Sequence, residues 1–487
     1  MKTLICINQI LKLNHFRRHS LSILKRQIST HFTLNEPHLN YLLDTNNKEI
    51  IEKNIHIRKS NGSLEKLYSL NEELQNINTT KCDPQQIEML KSQVKDEANE
   101  IPNQTHPDIL HYQEPRLVKY VGNKKESTHK HYNFVKLAER WDLIRTQNLG
   151  LISSSRTYYL RKDLARLEMA LIRYAIDFLK AKKFTPISVP DILNIDVLRQ
   201  CGIPNYHLKH QTGSITQWQA DLAPKEMVAS DMRNRRHVQL LLTWSTNAAY
   251  SVYKLSPEWP GDGQQYCLSG TSEMALAAYL AGRVLPEDSL PRRLVACSRC
   301  FRQEEAEGKQ GQNLYRFTTA LWCRVKQFYK VEMFAACAAH QSDSLLEEFV
   351  ELQTELFSSL GLHFQILDMP PSDFNNATYR KYDIEAWMPG MEKYGEISST
   401  SNCTDYQSQR LNIRYKEEDG SERFIHTVNG TACAIPRMLI SLVETHQNAN
   451  HTISLPKPLW PYLQGQQTIP LNKKDFQKNQ WILMKYL

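Results

Sequence analysis

The chain has 487 residues, 41% of them hydrophobic and 23% charged, close to the balance of an ordinary globular protein with room for two or three domains. No apolar run approaches the ~18 residues that a membrane-spanning helix needs, so a soluble protein with no membrane partner is expected. The formal net charge of +8 points to nucleic acid only until it is located, because residues 1–35 hold Lys2, Lys12, Arg17, Arg18, Lys25 and Arg26 and no Asp or Glu, leaving the remainder nearly neutral.

That acid-free start, with Arg, Ser and scattered Leu and Ile, predicts a mitochondrial presequence over 1–35, with Arg26-Gln27-Ile28-Ser29 as its processing point and the mitochondrial matrix as destination. A basic arm that binds nucleic acid is the competing reading. The ten cysteines lack regular spacing, which predicts reduced thiols. Cys297 and Cys300, three apart on a strand, would send their sulfurs to opposite faces, so both are read as packing residues rather than zinc ligands.

Residues 46–101 read as two helices. Leu64, Leu67, Leu70, Leu74 and Ile77 recur at helical spacing, Thr79 to Pro84 breaks the pattern, and Ile87, Leu90, Val94, Ala98 and Ile101 resume it. Two narrow apolar seams joined by a short turn predict an antiparallel hairpin within an N-terminal unit 36–101. A dimerisation device, a partner-binding arm and a plain appendage all fit it. Residues 102–131 turn polar and loop-like, a linker. A long helix is then predicted over Tyr159–Lys183 and a strand over Phe184–Pro190.

Beyond it lie strand-like runs at Tyr266–Leu268, Leu294–Cys300, Lys326–Phe334, Phe364–Asp368, Tyr379–Ala386, Ser408–Tyr415 and Phe424–Val428, then an apolar helix Ala434–Glu444 with Pro436 in its first turn. Strands without intervening helices imply an antiparallel sheet flanked by helices, an α+β domain over 132–464, with a tail at 465–487. No G-x-G-x-x-G or G-x-x-x-x-G-K-[ST] is present, which excludes the Rossmann and P-loop nucleotide sites.

Polar groups gather at the ends of these strands. Thr271-Ser272-Glu273 follows one. Arg302 and Glu304, two apart in Phe-Arg-Gln-Glu-Glu, share a face, since strand side chains alternate. Glu332 ends Phe-Tyr-Lys-Val-Glu, Glu396 and Ser399 lie in Glu-Ile-Ser-Ser, and Asn429-Gly430-Thr431-Ala432 precedes the helix carrying Arg437. Each alone reads as a solvated strand end or a turn. Taken in order, with YDIEAWMPG from 382, GEISSTSNCTDYQSQR from 395 and NGTACAIPR from 429, they resemble the class II aminoacyl-tRNA synthetases, and within that class the seryl-tRNA synthetases of mitochondrial type, over roughly residues 101–464.

The resemblance implies a fold, a reaction and a division of labour. The fold is the class II antiparallel sheet flanked by helices, with an N-terminal helical hairpin that grips tRNA. The reaction joins L-serine to mitochondrial serine tRNA through a seryl-adenylate, using ATP and Mg²⁺ and no covalent nucleophile on the protein. Arg302, Glu304 and Arg437 would be the catalytic groups. ATP would meet Arg302, Gln303, Glu304, Arg324, Val325, Lys326, Gln327, Phe328, Glu396, Ile397, Ser398, Ser399 and Arg437, with Phe328 stacked on adenine and Glu304 on its amino group. Mg²⁺ would bind Glu396 and Ser399. Serine would be read by Thr271, Ser272, Glu273, Arg302, Glu332, Asn429 and Thr431. The region around Pro190 would build a homodimer.

Three departures from the family pattern stand out. The run Leu64–Ile77 reaches only about 21 Å, short for the family's arm, and Asn61-Gly62 interrupts the first helix. Arg316 and Arg324 both match one family arginine because FTTALWCR is inserted between them; Arg324 keeps the shorter spacing to Phe328, and Lys326 replaces a histidine. The segment between Gly202 and Tyr266 is long and holds the apolar patch HVQLLLTW at 237–244. These departures feed the alternative of a catalytically inactive paralogue that partners or regulates a true synthetase.

Overall fold

A computed structural model describes residues 36–77, 83–124, 130–146, 149, 157–203, 252–255, 264–302 and 325–470. The expectations for 1–35, Gln303, Glu304, Arg316, Arg324, the inserted 317–324 and the patch 237–244 lie outside the described residues.

Among the described residues, eight strands form the main sheet: β1 Arg116–Val121, β2 Thr185–Pro186, β3 Arg292–Phe301, β4 Gln327–Cys337, β5 Phe364–Asp368, β6 Arg380–Met388, β7 Lys393–Asn402 and β8 His426–Ala434, in the order β1-β5-β6-β7-β8-β4-β3-β2. Every neighbouring pair is antiparallel except β2 with β3 at the edge. The alternation of side chains along β4 divides the core. Val331, Met333, Ala335 and Cys337 enter one apolar cluster, while Phe334 and Ala336 enter another. Phe328, Lys330 and Glu332 have the parity of Phe334, so the polar cavity described below lies on that second face.

The first face is covered by apolar helices. Leu164, Leu167, Leu171, Ala175 and Leu179 of the helix Lys162–Ala181 recur at three and four and are all buried. Helices Ser342–Ser359 and Ile435–Thr445 pack beside it, the latter with Pro436 in its first turn.

At the N-terminus, α1 Glu36–Leu43, α2 Lys48–Ile57, α3 Leu64–Asn76 and α4 Pro84–Glu100 enclose a core of their own, with Leu42, Ile51, Leu64, Leu67, Val94, Ala98 and Ile101 buried. Leu64 and Leu67 at the start of α3 share that core with Val94 and Ala98 at the end of α4, so the two run antiparallel. The described residues of 46–101 thus hold three α-helices where the sequence pattern predicts two. The break falls at Gly62, where a Cβ would lie 2.8 Å from the Glu100 carbonyl oxygen.

Two further expectations are corrected. The predicted strand Ser408–Tyr415 is a helix, Tyr406–Leu411, followed by a short strand, Arg414–Lys416. Its residues pair at helical spacing: the Arg410 guanidinium lies 3.4 Å from the Tyr406 ring centroid, and left-handed Asn412 (φ 52°) ends it. The supposed linker 102–131 contains the edge strand β1. Among the described residues no helix is long and apolar enough to cross a membrane.

Candidate active site

A cavity of about 280 Å³ opens over the second face of the sheet. Its floor comes from β4, β7 and β8. The loop 371–378, the start of the helix Ser272–Tyr279 and the start of the helix Ile435–Thr445 form its walls. One irregularity aims side chains into it. A bulge in β7, where Ser398 faces Ile384 and Glu396 faces Glu385, leaves Ile397 as an extra residue. Glu396 and Ser399, three apart and otherwise on opposite faces, therefore both look into the cavity, while Ile397 and Ser398 are buried. The Ser398 hydroxyl turns inward and donates to the Thr431 carbonyl at 2.5 Å. Gly430 is required on β8, because a Cβ there would meet Thr400 Oγ1 at 2.6 Å.

One end of the cavity is acidic and closed. Glu332 is 1% exposed and pairs with Lys330, Nζ to Oε2 at 2.5 Å. Glu273 accepts from Gln407 Nε2 at 2.7 Å and from Asn429 Nδ2 at 3.1 Å. Gln407 is itself fixed by the Thr427 hydroxyl, which donates to its Oε1 at 2.8 Å. Thr431 Oγ1 donates to Glu332 at 3.3 Å. Burial, then the charge of Glu332, push the Glu273 carboxyl up to about 7, against the pull of Lys330 and the Gln407 hydrogen bond. Two buried carboxylates with one lysine between them leave a net negative hollow that suits a ligand ammonium group.

The other end is cationic and more open. Arg302 follows directly on β3; its N–H donates to the Lys326 carbonyl at 2.9 Å, and its guanidinium lies 5.4 Å from the Phe328 ring centroid. Arg437, in the first turn of its helix, pairs with Glu396 at 3.0 Å. Burial alone would raise the Glu396 carboxyl, but Arg437, Lys381 and Arg302 override it and hold the group well below the usual carboxylate range. An ionised Glu396 beside the Ser399 hydroxyl is an oxygen donor set of the kind a hard divalent ion accepts, provided phosphate oxygens and water complete its shell.

Comparison with known proteins accords with this geometry. Residues 253–446 match the model of the tRNA synthetase class II core domain (G, H, P, S and T). The chain is 36% identical over 384 residues to the mitochondrial serine–tRNA ligase of Mus musculus, covering 78% of this chain and 64% of that protein. It is 33% identical over 371 residues to the serine–tRNA ligase of Treponema denticola, covering 75% of each. The chain belongs to the serine–tRNA ligase family. It spans somewhat less than two thirds of the length of the mouse relative. The crystal structure of the cytoplasmic serine–tRNA ligase of Naegleria fowleri in complex with AMP shares the fold, with TM-score 0.66 and 24% identity over 89% of this chain and 99% of that one. The sheet described above is thus the class II core, and the expected α+β architecture with its N-terminal helices holds.

Of the residues singled out from the sequence of this serine–tRNA ligase family member, thirteen meet at the one cavity: Thr271, Glu273, Arg302, Val325, Phe328, Glu332, Glu396, Ile397, Ser398, Ser399, Asn429, Thr431 and Arg437. Ser272 turns away from it, its hydroxyl 2.6 Å from that of Ser298. Lys326 and Gln327 fall outside the lining. Sequence reasoning missed Lys330, Lys381 and Gln407, together with Asp373, Asn375 and Thr378 of the loop wall. The period of two that links Arg302 to Glu304 would have found Lys330 beside Glu332. Gln407 lies just before the run Ser408–Tyr415 predicted as strand, on the helix that replaces it.

Proposed function

We propose that the protein activates L-serine with ATP and transfers it to mitochondrial serine tRNA. The observation that carries this reading is the polarity of this cavity, with buried Glu273 and Glu332 at one end and Arg302 and Arg437 at the other. Serine's ammonium is held by the two carboxylates, and its hydroxyl donates to the same acceptors. An analogue lacking the hydroxyl leaves a buried acceptor unpaired, which discriminates strongly against it. Arg302 holds the α-phosphate and Arg437 the terminal phosphates, with the adenine over Phe328. The serine carboxylate attacks the α-phosphorus in line and pyrophosphate leaves. A ribose hydroxyl at the tRNA 3′ end then attacks the acyl carbon and AMP leaves. The protein's part is orientation and charge already in place. Glu396 and Ser399 would hold Mg²⁺, whose contribution when bound is to neutralise phosphate charge.

The finer reading includes Gln303, Glu304 and Arg324 at the nucleotide, the helices of 36–101 as a short tRNA arm, a homodimer through the Pro190 region, and import to the mitochondrial matrix directed by 1–35. Amino-acid-dependent exchange of pyrophosphate into ATP tests the core of it. Serine is expected to support exchange, with alanine, glycine and threonine weaker by about a hundredfold or more. A folded protein that gives no exchange with serine contradicts the proposal and favours an inactive paralogue.

A further inference from the structure

Four consecutive carbonyl groups of the cavity wall are held by residues from the N-terminal part of the chain. Arg58, one residue past the end of α2 and 5% exposed, donates through Nη1 to Thr378 O at 2.9 Å and through Nη2 to Asn375 O. The Asn103 backbone N–H donates to Asn376 O at 2.7 Å, and Asn103 Nδ2 donates to Ala377 O at 2.9 Å. Arg58 is itself seated: Nη1 also reaches Asn103 O at 3.2 Å and Thr105 Oγ1 at 3.3 Å, and its guanidinium lies 5.1 Å from the Phe374 ring centroid. On the other side of the same backbone, the side chains of Asn375 and Thr378 line the cavity.

This wall is tied to the acidic end. Asn103 Nδ2 also donates to Cys403 O at 2.9 Å, and Cys403 Sγ lies 3.7 Å from Asn429 Oδ1, whose amide nitrogen meets Glu273. The helix Tyr406–Leu411 makes a second bridge. Gln407 bonds Glu273, while Arg410, fully buried, donates to Asn99 Oδ1 at 3.1 Å just before the end of α4. A guanidinium spanning carbonyls three residues apart is a rigid two-point clamp, which a lysine can only half reproduce.

We infer that Arg58 is a positioning residue for serine recognition: by clamping the Asn375–Thr378 backbone it fixes the wall of the serine end, so the geometry of the N-terminal helices is read out as affinity for the amino acid. This rests on the serine-activating reading above, and its test has a readout independent of it. In the full chain, Arg58→Met keeps an apolar stem and removes all donors, while Arg58→Lys restores one. Pyrophosphate exchange is expected to show KM for serine raised about tenfold in Arg58→Met, intermediate in Arg58→Lys, with KM for ATP within about twofold of the parent. Hydrogen exchange, followed by mass spectrometry, is expected to quicken in peptides covering 371–380 more than in β4. Equal shifts in both KM values, or an unchanged KM for serine, overturns the inference. If the parent protein has no serine-dependent exchange, the functional reading fails, and unchanged hydrogen exchange at 371–380 in Arg58→Met then overturns the clamp separately.

Discussion

The two ends of the cavity use the same side-chain chemistry to opposite effect. Glu273 and Glu396 both point over the sheet, yet Glu273 is pushed up to about 7 and Glu396 is drawn well down. The difference lies in their neighbours. Glu273 is buried against another carboxylate and is met by the neutral amides of Gln407 and Asn429. Glu396 has three cations within reach. The acidic end is therefore short of positive charge, whereas the cationic end keeps its carboxylate ionised and its arginines paired. Recognition is prepared by deficit at one end and by preorganisation at the other.

The largest expected effect breaks the cationic end. Arg437→Ala removes a fixed charge from the proposed phosphate site and releases Glu396, and exchange activity should fall about 10²–10³-fold. Next comes the buried pair. Lys330→Met strands Glu332 without its partner and should cost about 3–5 kcal/mol in a denaturant melt, while Lys330→Met with Glu332→Leu should recover much of that stability and none of the activity.

The third prediction concerns pH. A carboxyl whose folded pKa lies above its ordinary value of 4.5 binds its proton more tightly in the folded state. Its contribution to stability is therefore complete below about pH 4.5 and is lost as pH rises toward about 7. Relative to Glu273→Gln, the parent should lose stability across that window. Its KM for serine should meanwhile fall as Glu273 ionises, a dependence that the glutamine variant lacks. The smallest effect is steric: Gly430→Ala meets Thr400 at 2.6 Å and Gln353 at 3.2 Å, and should cost about 1–3 kcal/mol by thermal melt.

The strands of the sheet were legible where apolar runs are long and bounded, as at Leu294–Cys300 and Phe364–Asp368, the latter matching its observed limits. Tyr406–Leu411 was misread because only six residues form it and its polar face carries Gln407, buried against Glu273 rather than in solvent. Glu396 and Ser399 were placed in the site by family pattern, not by periodicity. Alternation alone puts residues three apart on opposite faces, and only the bulge at Ile397 reconciles them. Arg58 left no local signal, since the wall carbonyls it clamps lie more than three hundred residues ahead.

The division of the cavity is tested most directly by Michaelis constants for serine and ATP measured side by side on Glu332→Gln and Arg437→Met. The account predicts that the first raises KM for serine and spares ATP, and that the second raises KM for ATP and spares serine. Both constants moving together in both variants, or the reverse assignment, would contradict it.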